Sequence, residues 1–232
     1  MDLYHALNRG VDKRIIFMDD QDRARFVHDM FEFNDARPAK NVFRKHIQMS
    51  DFVNRSFPTS KLDNDTPLQP RQKLVDIHGW CLMENHYHLL LSERVDSGLI
   101  KFLRKLNVGY ANYFNKRYDR TGTLFQGRTK KIHINNDAYF LHILNYIHLN
   151  PLDFQESTAA WRQKTINDVE SALEFLNQYR WSSYLDYNNT KNFPSILTTS
   201  LFQDVFDNHY AAQLANYLRD IDTSSNKSLY LE

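Results

Sequence analysis

Two short motifs hold residue types that could do chemistry. In His86-Tyr87-His88 the two histidines stand two positions apart. On a strand, positions i and i+2 project from the same face. Both imidazoles would then point together from a run otherwise rich in leucine. Two imidazoles on one face can hold a divalent cation. The same spacing suits two histidines that merely alternate with their neighbours, one exposed and one hydrogen-bonded. In Tyr146-Ile147-His148-Leu149-Asn150-Pro151 the tyrosine and the asparagine are four positions apart, which places them on one face of a helix. The carboxamide oxygen of Asn150 is a hard ligand that suits Mg²⁺ or Mn²⁺. The Tyr146 phenol could be a nucleophile, but its ordinary pKa is about 10, so a base or a nearby cation would have to activate it. A plain core tyrosine fits the pattern too. His142, one turn before Tyr146, is either an orienting neighbour or a solvated side chain.

Charge supplies a third feature. Between Lys101 and Lys131 lie nine basic residues: Lys101, Arg104, Lys105, Lys116, Arg117, Arg120, Arg128, Lys130 and Lys131. Only Asp119 opposes them, so this window carries +8 while the whole chain carries +1. Phe102, Tyr110, Tyr113, Phe114, Tyr118 and Phe125 are interleaved. Positive charge tracks a phosphate backbone and aromatic faces stack on unpaired bases. A solvated helix face over an aromatic core is the alternative.

The elements that must position these residues follow from patterning. LYHALNR at 3–9 reads as a strand, Gly10 to Arg14 as a turn, and Ile15 to Phe17 as a short extended piece. Asp19 and Asp20 then precede a helix with apolar residues at Phe26, Val27, Met30 and Phe31, and acidic residues suit a helix start. From Arg37 to Pro70 the pattern breaks into a polar loop or insertion, with room for a short helix at Asn41 to Met49. Residues 73–92 predict two strands joined near Glu84-Asn85. A helix follows from Asp96 or Ser97 to Lys116, with Leu99, Ile100, Leu103, Leu106, Val108, Tyr110 and Phe114 as its apolar set. Thr123 to Ile134 predicts a strand. Asn136 or Asp137 caps a helix that Pro151 stops. The order β-α-insert-β-β-α-β-α points to an α+β fold with an antiparallel sheet. Residues 153–232 look mainly helical, and the tail after Asp222 looks loose. We therefore expect a core at 1–152 and a helical C-terminal extension at 153–232.

With 232 residues, 42% hydrophobic and 14% aromatic, the chain has material for a proper core, which argues against wholesale disorder. Its single cysteine, Cys81, cannot form an internal disulfide or a cysteine-based zinc cluster and is expected in the core. No apolar stretch approaches a membrane span, and MDLYHALNRG lacks the layout of a signal peptide. The expected location is the cytoplasm.

GWCLMENHYHLLL, GTLFQGRTKKIHI and YIHLNP, in this order and spacing, closely resemble the single-tyrosine HUH transposases, and most nearly their REP-associated bacterial branch. YHALNRGVDKRIIF near the start and YRWSSY around Trp181 resemble that branch as well. The resemblance spans roughly residues 3–187. It implies a ferredoxin-like antiparallel sheet with helices on one face. It implies a Mg²⁺ or Mn²⁺ ion held by His86, His88 and Asn150, and Tyr146 as the nucleophile. It also implies cleavage and rejoining of single-stranded, hairpin-bearing DNA of the REP type through a 5′-phosphotyrosine link, by a nucleoid-associated monomer or homodimer. Arg9, Arg104, Lys105, Arg117, Arg120, Arg128, Lys130 and Lys131 are the candidate DNA contacts. Tyr87 stands where a bulky aliphatic residue is common in that family, and the Arg37–Pro70 segment exceeds the minimal core. A domesticated hairpin-binding protein without cleavage, and a water-using metal-dependent nuclease, are the alternatives.

Overall fold

The computed structural model describes residues 1–38, 71–163, 166, 168–207 and 209–219. The expected helix at Asn41 to Met49 and the tail after Asp222 lie outside these residues. Strand β1 (Leu3–Arg9) leads into helix α1 (Asp20–Glu32), then β2 (Val75–Leu82), β3 (His86–Glu93), α2 (Gly98–Arg117), β4 (Lys130–Ile134) and α3 (Asp137–Leu149). The sheet order is β2-β3-β1-β4 and every neighbouring pair is antiparallel. This is the α+β fold with an antiparallel sheet that the patterning predicts, in the ferredoxin-like order that the resemblance implies.

Strand alternation separates two apolar clusters. Ala6, Trp80, Tyr87, Leu89 and Leu91 pack with Phe26 and Met30 of α1 and with Phe102, Leu106 and Tyr110 of α2. Leu3, Cys81, Leu90 and Ile134 face the other way, toward Ile143, Leu144 and Ile147 of α3. The crossover helices α1 and α2 thus occupy one face, and α3 begins the layer on the other. Gly79 permits its close approach, because a Cβ there would stand 2.6 Å from Leu144 Cδ1. Cys81 is fully buried, and burial pushes its thiol pKa well up.

The helix ends obey local chemistry. The Asp19 carboxylate accepts from the Asp22 N–H at the start of α1, and the Asn136 side chain accepts from the Tyr139 N–H at the start of α3. At α2 the preceding Ser97 has φ 57° and makes no side-chain cap; Glu93 Oε1 accepts from the Leu99 N–H at 2.9 Å instead. Two members of the expected apolar set of α2, Ile100 and Val108, are exposed.

One further expectation changes. The strand predicted from Thr123 is confined to Lys130–Ile134. Leu124 and Phe125 are consecutive and both buried, which defeats alternation, and Gly127 takes φ 123°. Ile15 to Phe17 is the expected short piece between the turn and α1, and it pairs with no strand among the described residues. The Ile16 and Phe17 N–H groups both donate to the Glu84 carbonyl, at 2.9 and 3.0 Å, and dock this segment on the β2–β3 turn.

Helices α4 (Val169–Gln178), α5 (Tyr184–Tyr187), α6 (Ser200–Val205) and α7 (Tyr210–Arg219) follow, with tight 3-10 turns at Asn150–Phe154 and Ala159–Gln163. Ala172, Leu176, Phe202 and Leu214 join the cluster built on α3. A polar stitch runs through it. His148 bonds the Tyr210 hydroxyl at 2.8 Å and Ser183 Oγ at 2.6 Å, and that oxygen accepts from the Trp80 N–H at 2.9 Å. Complete burial lowers the His148 pKa to about 3, so the ring is neutral. No helix among the described residues is long and apolar enough to cross a membrane.

Candidate active site around the paired histidines

Strand β3 presents His86 and His88 on the face that α3 covers, with ring centroids 4.9 Å apart and planes at 81°. His88 is fully buried and His86 nearly so. Each ring is held through Nδ1. His86 Nδ1 lies 2.6 Å from Asn85 Oδ1, and His88 Nδ1 lies 2.9 Å from Nε2 of His5 on the adjoining strand. His5 is itself buried, with its Nδ1 3.3 Å from the Tyr139 hydroxyl.

Helix α3 brings Tyr146 to these rings. Its ring centroid stands 5.7 Å from that of His88, with planes perpendicular, and 5.9 Å from that of His5. One turn on, Asn150 Nδ2 donates to the Tyr146 carbonyl at 2.7 Å. Asn150 Oδ1 accepts from Arg162 Nη2 at 2.9 Å. The Ala159–Gln163 turn therefore lies over the tyrosine. Trp161 packs on the Tyr146 ring with centroids 5.9 Å apart, and the Arg162 guanidinium sits 6.0 Å from it. Arg162 is also paired with Asp153. Tyr146 is only 5% exposed beneath this cover.

Two imidazoles and a carboxamide oxygen would make a donor set of borderline nitrogen and hard oxygen, which suits Mg²⁺ or Mn²⁺, and Asn150 Oδ1 would have to exchange its bond to Arg162 for the ion. Asn85 oxygen can only accept, so His86 Nδ1 carries the proton and its lone pair resides on Nε2. Among the described residues no group of three or more His, Cys, Asp and Glu is placed to hold a metal. His142 meets the Tyr217 ring, with centroids 5.3 Å apart.

Tyr87 faces the opposite way. Its hydroxyl donates to Asn107 Oδ1 at 2.7 Å, and burial pushes its pKa up to about 12. Tyr139, the other tyrosine near the histidines, is likewise raised to about 12 by burial.

The basic candidates separate into groups. Arg9 stands opposite His86 in the β1–β3 register. Lys130 and Lys131 stand opposite Leu7 and Ala6 on edge strand β4, and both are exposed, as is Arg128. Asn8 Nδ2 donates to the Gly127 carbonyl at 3.3 Å, which holds this basic edge at the end of β1. Arg104 is exposed on α2, on the far side of the sheet. Arg120 donates to Asn115 Oδ1 at 2.9 Å. Lys105 and Arg117 are committed internally. Lys105 Nζ donates to the Asp35 and Arg37 carbonyls at 2.6 and 3.0 Å. Arg117 pairs with Asp19 and with buried Asp22, and its bond to Asp19 lowers that carboxyl's pKa.

Residues 69–150 match the family described as "Transposase IS200 like". The match is to a transposase family. It takes in β2 through α3, and with them His86, His88, Tyr146 and Asn150. It leaves out β1, which supplies His5, and the C-terminal layer, which supplies Trp161 and Arg162. A solved structure described as a REP-associated tyrosine transposase bound to a REP hairpin aligns over 85% of this chain and 85% of its own, at 12% identity and a TM-score of 0.48. No curated protein matches the sequence.

Sequence reasoning missed His5, Asn85, Trp161 and Arg162. A signal for His5 was present: Leu3, His5, Leu7 and Arg9 alternate onto one face, so pairing β1 with β3 would have put His5 beside His88. Nothing in the spacing of Trp161 and Arg162 pointed to Tyr146.

Proposed function

We propose that the protein is a divalent-metal-dependent single-stranded DNA endonuclease and transposase. It would nick and rejoin hairpin-bearing DNA through a 5′-phosphotyrosine intermediate. The observation that supports this reading most is the meeting of His86, His88 and the Tyr146 ring inside the stretch that matches the IS200-like transposases.

In this reading His86, His88 and Asn150 hold Mg²⁺ or Mn²⁺, which when bound supplies positive charge to offset that developing on the scissile phosphate. The Tyr146 oxygen loses its proton and forms the bond to phosphorus. The bond from phosphorus to the 3′ oxygen breaks, and that oxygen takes up a proton to leave as a 3′-hydroxyl. The ester stays on the enzyme, so the strand can be rejoined without a separate energy source. His88, perpendicular to the Tyr146 ring, and Trp161, packed on it, fix the direction of the phenol. Arg9 and Lys130 lie on the histidine side of the sheet, with Lys131 on its other side and exposed Arg128 just before β4, and these residues would follow the backbone of the strand.

The test mixes the protein with end-labelled hairpin DNA and Mn²⁺ and runs a denaturing gel. A labelled band at protein mass, absent in Tyr146→Phe, is the expected outcome. Cut DNA without an adduct would replace the tyrosine by water, and a binding shift without cutting would leave a hairpin-binding protein.

A further inference from the structure

We infer that His5 is a positioning residue that sets the tautomer of His88, and so decides whether the other nitrogen of that ring, Nε2, offers a lone pair to the reaction centre. This inference rests on the metal site proposed above, but its first observable does not.

The two candidate ligands are held differently. For His86 the partner of Nδ1 is an amide oxygen, and Asn85 is oriented by its own Nδ2, which donates to the Lys13 carbonyl at 3.2 Å. An oxygen accepts only, so the proton position on His86 is decided locally. For His88 the partner is another imidazole, which can either donate or accept. The nitrogens are 2.9 Å apart, the ring planes differ by 19°, and the centroids are 5.1 Å apart. The centroid separation exceeds the nitrogen separation by about one ring width. The rings therefore meet edge to edge in nearly one plane, the geometry of an N–H···N hydrogen bond.

Two proton arrangements fit that contact. In one, His88 Nδ1–H donates to His5 Nε2, and His5 Nδ1–H donates to the Tyr139 oxygen 3.3 Å away. His88 then bears its lone pair on Nε2, matching His86. In the other, every bond reverses: Tyr139 donates to His5, His5 donates to His88 Nδ1, and His88 Nε2 carries a hydrogen and cannot ligate. Only the first arrangement gives β3 two like nitrogens for one cation. A ligand histidine ordinarily donates its other N–H to a fixed acceptor, and losing that acceptor weakens metal binding about 10–100-fold. His5 is that acceptor for His88, and it comes from a strand outside the stretch that matches the transposase family.

The test starts on the metal-free full-length protein. Long-range proton–nitrogen correlation of isotope-labelled histidines at about pH 8.5, about two units above the ordinary imidazole value, reads the tautomer of His88. We expect its proton on Nδ1; a proton on Nε2 overturns the inference. Mn²⁺ titration followed by electron paramagnetic resonance then compares wild type with His5→Phe and His5→Gln. We expect His5→Phe to bind Mn²⁺ about 10–100-fold more weakly and to show mixed His88 tautomers. His5→Gln, whose amide oxygen can still accept, should recover most of the affinity. Wild-type affinity in His5→Phe overturns the positioning role. If His5→Phe fails to fold, His5→Gln and the wild-type tautomer still decide. A wild-type protein that shows the Nδ1–H tautomer yet binds no Mn²⁺ would sink the metal site and leave the His5 assignment standing.

Discussion

The two faces of strand β3 differ in what their neighbours ask of them. On one face Tyr87 lies among Phe26, Phe125 and Leu89, with ring centroids 4.9 and 6.0 Å from the two phenylalanines. Its one polar atom is bonded to Asn107. On the other face His86 and His88 meet His5, Tyr146, Trp161 and, through Asn150, Arg162. Apolar packing on the first face holds the strand rigid. The second face then carries polar rings at fixed positions, each oriented by hydrogen bonds rather than by fit alone. A strand anchored on one side can present chemistry on the other without reorganising.

The sharpest way to break this comparison is to remove one atom from the histidine side. Tyr146→Phe should lower cleavage by more than about a thousandfold while leaving the melting temperature and hairpin binding nearly unchanged. Comparable cleavage in the variant would move the nucleophile, with Tyr139 next to try. The converse change is Tyr87→Ala on the packed side. It should cost roughly 3–5 kcal/mol of stability in urea unfolding, whereas Tyr87→Phe should cost only about 1 kcal/mol. A loss of cleavage without a loss of stability would mean that the two faces are not divided as described.

Acid should act through the stitch behind α3. His148 has a folded pKa of about 3 against an ordinary value near 6.5. Below the ordinary value the unfolded chain takes up a proton that the folded chain refuses. Stability should therefore fall as pH drops from about 6.5 toward about 3, by up to ~1.4 kcal/mol per pH unit from this residue. His78, lowered in the same direction by burial, adds to the same window. Denaturant midpoints across that range should flatten in His148→Gln, and an unaltered slope would remove His148 as the cause.

The basic residues give the smallest and most selective effects. Neutralising Arg128, Lys130 and Lys131 together should reduce the slope of log affinity against log salt by about 2 for single-stranded DNA, and leave stability alone. Arg117→Ala should do the reverse. It removes the guanidinium from the buried Asp22 carboxylate, which then keeps its neutral donors Tyr113, Tyr118 and the Met18 N–H, costs about 1–3 kcal/mol, and leaves the salt slope unchanged.

Much of the fold was legible because its signals are local. Alternation at 3–9 and 86–93, the caps at Asp19 and Asn136, and Pro151 after α3 all act within a few residues. The strand placed from Thr123 was too long because Leu124 and Phe125 answer to a distant core. Ile100 and Val108 look like members of the apolar stripe of α2, but no element covers them, and they are exposed. Lys105 and Arg117 look like the other basic residues of their window. Carbonyls near residue 36 and the carboxylates of Asp19 and Asp22 set them apart, and those partners lie far away in the chain.

The sequence by itself determined that His86 and His88 share a face and that Tyr146 and Asn150 share another, because strand and helix periods are properties of the backbone. It also marked the positive window, because charge is additive along the chain. Only the tertiary structure decided that these two faces meet and that β1 brings His5 to His88. It alone placed Trp161 and Arg162 over the tyrosine. Those contacts join residues from 15 to more than 80 positions apart, and which of the many possible distant pairs forms depends on how the two apolar faces of one sheet are covered.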